Sequence, residues 1–264
     1  MTRRFDPGSE LGGNRPAPVP NSREVARAVG VGEILPWYQP LVRFSDGEVA
    51  ALEALARWDS PHRGMVYPAD FIATAEESHL VIELDRHMAR LGLTDLAGWA
   101  GERPDLRLNL NLSGRNLDEE DCFERMHGLV VETGADPLRV TLEFTEHRPP
   151  TDLQVCARNI SRLREAGFEV WLDDFGSGWS GLHHLIAFKV DGVKLDSAFV
   201  EAIDSRPGAT VVAAVTSTAA SLGMSVTVEG VETEDQAARA VELGADYGQG
   251  FLWAPALPLD RVLG

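Results

Sequence analysis

Two adjacent aspartates, Asp173 and Asp174, close a short apolar run and lead into the turn Phe175-Gly176. Side-by-side carboxylates repel each other, and burying either one costs solvation. Such a pair makes physical sense where a divalent cation sits between or beside its members. Other oxygen donors are spread along the chain: Glu53, Asn111, Glu143 and Glu229. Carboxylates and an asparagine, with no histidine or cysteine among them, suit Mg2+ or Mn2+ rather than zinc or copper. Two such ions can activate a water and stabilise both oxygens of an in-line phosphoryl displacement. Lys194 adds a point charge for a phosphate or for the attacking hydroxide. These residues point to metal-dependent hydrolysis of a phosphate ester.

Donors this far apart in sequence act together only if the fold gathers them. Segments 36–42, 48–58, 106–112, 139–145, 168–173, 192–196, 225–228 and 246–251 read as strands. Helical patterns cover about 68–77, 80–99, 119–132, 152–166, 181–187, 197–203, 209–222 and 234–243. Alternation of this kind implies parallel strands covered by helices, and eight strands close a (β/α)8 TIM-like barrel. Ser45-Asp46-Gly47 is a hairpin signal, so the first strand runs antiparallel to the second. Parity supports closure. Leu106, Leu108, Leu110 and Leu112 share one face of their strand, while Arg107, Asn109 and Asn111 share the other. Apolar side chains then face the helices and polar ones the lumen. Gln39, Glu53, Arg57, Asn111, Glu143, Asp173, Asp174, Lys194, Glu229 and Gln249 fall near strand ends, and the C-terminal face is where barrels do chemistry. The reversed direction of the first strand leaves the placement of Gln39 open.

The bulk numbers narrow the partners. A formal net charge of −17 argues against binding duplex nucleic acid or an anionic membrane surface. Cys122 and Cys156 lack CxxC spacing, so neither a disulfide framework nor a zinc site is expected. No run of about 18 apolar residues occurs; residues 211–228, the nearest case, read as a helix followed by a strand. A cytoplasmic protein with no membrane partner is expected. Residues 1–21, rich in Gly, Pro, Asn and Arg, read as a disordered arm or linker, and residues 22–264 as the barrel domain. Ser22 is the expected cap of a short helix over 23–29.

An ordered set of short words adds to this reading: Tyr38-Gln39-Pro40, Glu53-Ala54-Leu55-Ala56-Arg57-Trp58, Asn111-Leu112-Ser113, Leu142-Glu143-Phe144-Thr145-Glu146, Asp173-Asp174-Phe175-Gly176, Val193-Lys194-Leu195-Asp196, Val228-Glu229-Gly230-Val231-Glu232 and Gln249-Gly250. Taken singly, Glu53 is a solvated strand residue and the aspartate pair a helix cap. Together and in order, over roughly residues 30–260, they resemble the EAL family of cyclic di-GMP phosphodiesterases. That resemblance implies a barrel whose first strand is antiparallel to the others. It also implies hydrolysis of cyclic di-GMP to linear pGpG with two Mg2+ or Mn2+ ions, and a homodimer. Glu53, Asn111, Glu143, Asp173, Asp174 and Glu229 match the metal ligands; Lys194, Glu53 and Glu229 match catalytic positions. Gln39, Arg57 and Gln249 match residues that contact the nucleotide or shape its pocket. Glu146 matches the glutamate that braces the loop after the paired aspartates. Ser177, Trp179 and Gly181 stand where the family usually has Thr, Tyr and Ser. The alternatives are a non-catalytic cyclic di-GMP receptor acting through a protein partner, and an interaction module that binds no nucleotide.

Overall fold

The Ser45-Asp46-Gly47 turn folds strand β1 (Ile34–Arg43) antiparallel onto β2 (Val49–Ser60), with Gln39 paired to Glu53. Gly47 takes the left-handed backbone (φ 74°) that the turn needs. The computed structural model describes residues 19–145, 151–176 and 188–263. Ahead of the hairpin lies α1 (Ser22–Val31), capped by Asn21 rather than Ser22. The Asn21 side chain accepts from the amides of Arg23 and Glu24, and Glu24 reaches back to the Asn21 amide at 2.9 Å. A capping box needs its acidic member three residues after the cap. Glu24 stands in that relation to Asn21, whereas Ser22 would have Val25 there.

After β2 comes a short strand absent from the sequence reading, β3 (Gly64–Val66), which pairs antiparallel with the end of β2. Three residues carry too little pattern to be read as a strand. Helices α2 (Pro68–Glu77) and α3 (Leu80–Trp99) follow where the periodicity places them. Then come β4 (Arg107–Asn111), α4 (Gly114–Leu117), α5 (Cys122–Thr133), β5 (Val140–Thr145), α6 (Leu153–Glu165) and β6 (Glu169–Phe175). The expected helix over 119–132 is α5, starting at Cys122, and the separate turn α4 precedes it, capped by Ser113 through the Asn116 amide. The remaining elements are β7 (Gly192–Leu195), α7 (Ser197–Glu201), α8 (Arg206–Ser221), β8 (Ser225–Val228), α9 (Glu234–Glu242), β9 (Tyr247–Gly248) and α10 (Leu259–Val262). β9 is shorter than the expected 246–251, since beyond Gly248 the backbone bonds Val231, with the Val231 amide donating to the Gln249 carbonyl and the Leu252 amide to the Val231 carbonyl. Residues 1–18, Glu146, Gly181 and the expected helix over 181–187 lie outside the described residues.

β2, β4, β5, β6, β7, β8 and β9 pair in parallel in that order, and β1 closes the ring between β9 and β2, antiparallel to both. The product is a closed eight-stranded barrel with β3 as a spur. Outward leucines carry the helices: a Cβ on Gly92 of α3 would stand 2.9 Å from Leu110 Cδ2, so this helix lies almost on β4. Inward, Asn109 donates to Glu143 at 2.6 Å. A second apolar cluster joins Val25, Ala28, Ile34, Trp58 and Phe71 beneath the far half of β2. Among the described residues no helix is long and apolar enough to cross a membrane.

Candidate active site

Lys194 of β7 is fully buried, and its ammonium is the hub of the barrel mouth. Nζ lies 2.6 Å from Glu229 Oε1, 3.0 Å from Glu53 Oε2, 3.1 Å from Glu143 Oε2 and 3.3 Å from Asp173 Oδ1. Those four carboxylates come from four different segments. Glu53 accepts further from Asn111 Nδ2 at 3.0 Å and from Gln249 Nε2 at 2.8 Å. Gln249 also reaches Gln39 Oε1 at 3.4 Å, and Gln39 donates to the Ala254 carbonyl. The antiparallel β1 therefore brings Gln39 directly across from Glu53.

The aspartate pair needs a local device, because neighbours on a regular strand point to opposite faces. Here the β6–β7 register shifts between Leu172 and Phe175, and Asp174 adopts a left-handed backbone (φ 54°). Asp tolerates this conformation better than most side chains. Its amide turns to donate to Asp173 Oδ1 at 2.9 Å, and its carboxylate accepts from Thr145 at 3.3 Å. Both carboxylates then face the mouth. Oxygens of Glu53, Glu143 and Asp173 gather within 4.8 Å of one another, as do oxygens of Asp173, Asp174 and Glu229.

The electrostatics show what such crowding costs. Burial and mutual repulsion push Glu229 up to about 8 and Asp173 up to about 6, against the pull of Lys194. Glu143 is raised well above the ordinary carboxylate range for the same reasons. Glu53 is also buried, but the Lys194 charge and the Gln249 and Asn111 hydrogen bonds hold it below that range. Burial opposes the Lys194 charge, yet the four carboxylates raise its pKa well above the usual lysine value, so it stays an ammonium. One cation faces more negative charge than it balances. An all-oxygen donor set with surplus negative charge fits hard divalent cations. The mouth opens into a cleft of about 390 Å³ lined by Glu53, Asp173 and Glu229 with Gln39, Asn111, Ser197, Gln249 and Phe251.

The EAL domain family profile matches residues 22–256. The chain belongs to the EAL family. It is 40% identical over 216 residues to an uncharacterized signaling protein of Caulobacter vibrioides, covering 81% of this chain and 26% of that protein. It is 33% identical over 248 residues to the cyclic di-GMP phosphodiesterase RocR of Pseudomonas aeruginosa, covering 94% of this chain and 63% of RocR. Among solved structures, the EAL enzyme Bd1971 in its cAMP- and cyclic-di-GMP-bound form superposes with a TM-score of 0.86 at 29% identity, covering 91% of this chain and 66% of that one. The chain thus spans about a quarter to two thirds of these relatives. The EAL barrel expected from the sequence, with its reversed first strand, is the fold observed.

In this EAL domain Glu53, Asn111, Glu143, Asp173, Asp174, Lys194, Glu229, Gln39 and Gln249 meet at one mouth. Arg57 stands apart, two pleats beyond Glu53 on the same face of β2. Two residues near the site escaped the sequence reading. Asn109 braces Glu143, and its inward parity with Asn111 was the available signal. Asp85 of α3 is buried and accepts from the Ser113 amide (2.8 Å), the Ser113 hydroxyl (2.6 Å) and Asn116 (3.3 Å), fixing the turn that follows Asn111. Burial pushes it up to about 6. A single aspartate on an amphipathic helix gives no such signal in sequence.

Proposed function

We propose that this EAL domain hydrolyses cyclic di-GMP to linear pGpG, using two Mg2+ or Mn2+ ions. The carrying observation is the Lys194 hub: four carboxylates gather round its ammonium, with Asn111 on Glu53 and Asp174 beside Asp173 and Glu229, at the mouth of an open cleft. Glu53, Asn111, Glu143, Asp173, Asp174 and Glu229 are the proposed metal ligands. Bound there, the ions would polarise the phosphate and supply a nucleophilic hydroxide at neutral pH. The protein's own part follows from its geometry. Lys194, kept protonated, offers its charge to a phosphate oxygen or the attacking hydroxide, and Glu53 and Glu229 complete the catalytic set. Asn111 donates its amide nitrogen to Glu53, which leaves its amide oxygen as the ligand atom. Gln39, Arg57 and Gln249 take the nucleotide; the role of Glu146, outside the described residues, is carried over from the family resemblance alone. No position of the ligand set is substituted, which weighs against the receptor reading.

Residues 22–264 form the catalytic domain in this proposal, with residues 1–21 as an arm. It works in the cytoplasm as a homodimer and has no membrane or duplex nucleic-acid partner. Incubation of the purified chain with cyclic di-GMP and Mg2+ or Mn2+ tests the reading: pGpG accumulates, and chelation stops it. Light scattering that shows a monomer under active conditions would contradict the dimer.

A further inference from the structure

Among the described residues, Arg57 is the one predicted site residue that stands apart from the acid cluster. It makes no ion pair among the described residues, although the chain carries a net charge of −17. Nη1 is spent on the neighbouring Ala56 carbonyl at 2.8 Å, and Nε is buried with no hydrogen-bond partner. Two aromatic faces surround the guanidinium instead. Its centre lies 5.8 Å from the Trp37 ring and 5.5 Å from the Tyr67 ring, within the range of cation–π attraction.

The topology explains the bracket. β1 pairs Trp37 with Leu55 and Leu35 with Arg57, so Trp37 is a diagonal neighbour of Arg57 on the mouth-facing side of the hairpin. On the other flank β3 pairs Val66 with Trp58, and one step further along this antiparallel register Tyr67 meets Arg57. Tyr67 is also the N-cap of α2, a place where Ser, Thr, Asp or Asn would bond the first turn. Its side chain makes no capping bond, and it is 53% exposed. A large aromatic side chain that neither caps its helix nor enters the core has Arg57 as its contact. β3, the strand that the sequence hides, is what delivers it.

We propose that Trp37 and Tyr67 are positioning residues for substrate. Their ring faces fix the Arg57 guanidinium without a carboxylate, so its charge and remaining N–H donors stay available to acceptor atoms of the nucleotide away from the scissile phosphate. A carboxylate in their place would neutralise the charge; rings orient it and leave it unspent. Trp37 and Tyr67 thus set affinity rather than the chemical step. The inference rests on the cyclic di-GMP reading of this cleft.

Calorimetry with cyclic di-GMP and chelated metal reads affinity independently of turnover, and steady-state kinetics with Mn2+ reads KM and kcat. Tyr67→Leu is expected to weaken binding and raise KM about fivefold with kcat within about twofold. Tyr67→Phe, which keeps the ring face, restores the wild-type values. In an Arg57→Ala background Tyr67→Leu adds nothing further. Unchanged affinity in Tyr67→Leu overturns the proposal, as does an equal loss in Tyr67→Phe or an undiminished effect without Arg57. Wild-type protein that binds cyclic di-GMP but does not hydrolyse it overturns the hydrolase reading alone, because the affinity series still decides the role of Tyr67. Wild-type protein that binds none overturns both.

Discussion

Lys194 is one cation set among four carboxylates, and that imbalance governs the residue-scale behaviour of the site. Removing one partner of a buried ion pair commonly costs about 3–5 kcal/mol, because the charges left behind are neither solvated nor compensated. Lys194→Met is therefore expected to lower metal-free stability by about that amount in urea titrations at pH 7, with saturating Mn2+ recovering part of the loss. Asp85 gives a separate test through pH. Its carboxyl titrates near 4 in the unfolded chain but is pushed up to about 6 by burial in the folded one. The native state thus binds the extra proton, and its stabilising effect is full below about pH 4 and lost as pH rises through about 6. The difference between those two values corresponds to about 3 kcal/mol. Asp85→Asn, which keeps an acceptor for Ser113, should flatten the fall in unfolding free energy between pH 4 and 6 by up to that much; an unchanged slope would contradict the assignment. The residues that gather at the mouth were legible in sequence, since ordered words selected them all and inward parity selected all but one of the adjacent aspartates. Asp85 was not, because its role depends on a turn that packs against it from a different strand.

At the scale of elements, short connections aim the side chains. Gly230 follows Glu229 with a left-handed backbone (φ 72°), and a Cβ there would stand 2.6 Å from Ser197 Cβ. Gly230→Ala combines backbone strain with a clash against α7 and is expected to cost about 1–3 kcal/mol. It should also lower kcat by displacing Glu229, read by unfolding and turnover on the same preparation. The bulge at Asp173–Asp174 is a device of the same kind. Sequence supplied the two aspartates but not the register shift that turns both to one side. Long helices such as α3 were readable to their ends, because twenty residues of periodicity and flanking breakers agree. β3 and the two-residue β9 were not, because their pairing comes from neighbours rather than from a pattern of their own. The Asn21 cap shows a middle case: the helix was visible, but the reciprocal bond with Glu24 chose its first residue.

The whole molecule is a barrel whose inward parity is polar along several strands, with Asn109 mid-strand, and whose acids gather at one mouth. Outward leucines such as Leu108 and Leu110 of β4 pack against a covering helix, and the opposite parity brings Glu53, Asn111, Glu143 and Glu229 from separate segments to one place. β1 enters against the direction of the rest, which sets Gln39 across from Glu53 and Trp37 beside Arg57. This convergence is the proposed basis of metal-dependent hydrolysis of cyclic di-GMP. The most direct measurement is product analysis of the purified chain with cyclic di-GMP across an Mg2+ and Mn2+ titration, beside Glu53→Ala. The expected product is pGpG that rises with metal, vanishes on chelation and is absent from Glu53→Ala. Metal-loaded protein that binds cyclic di-GMP and leaves it intact would contradict it.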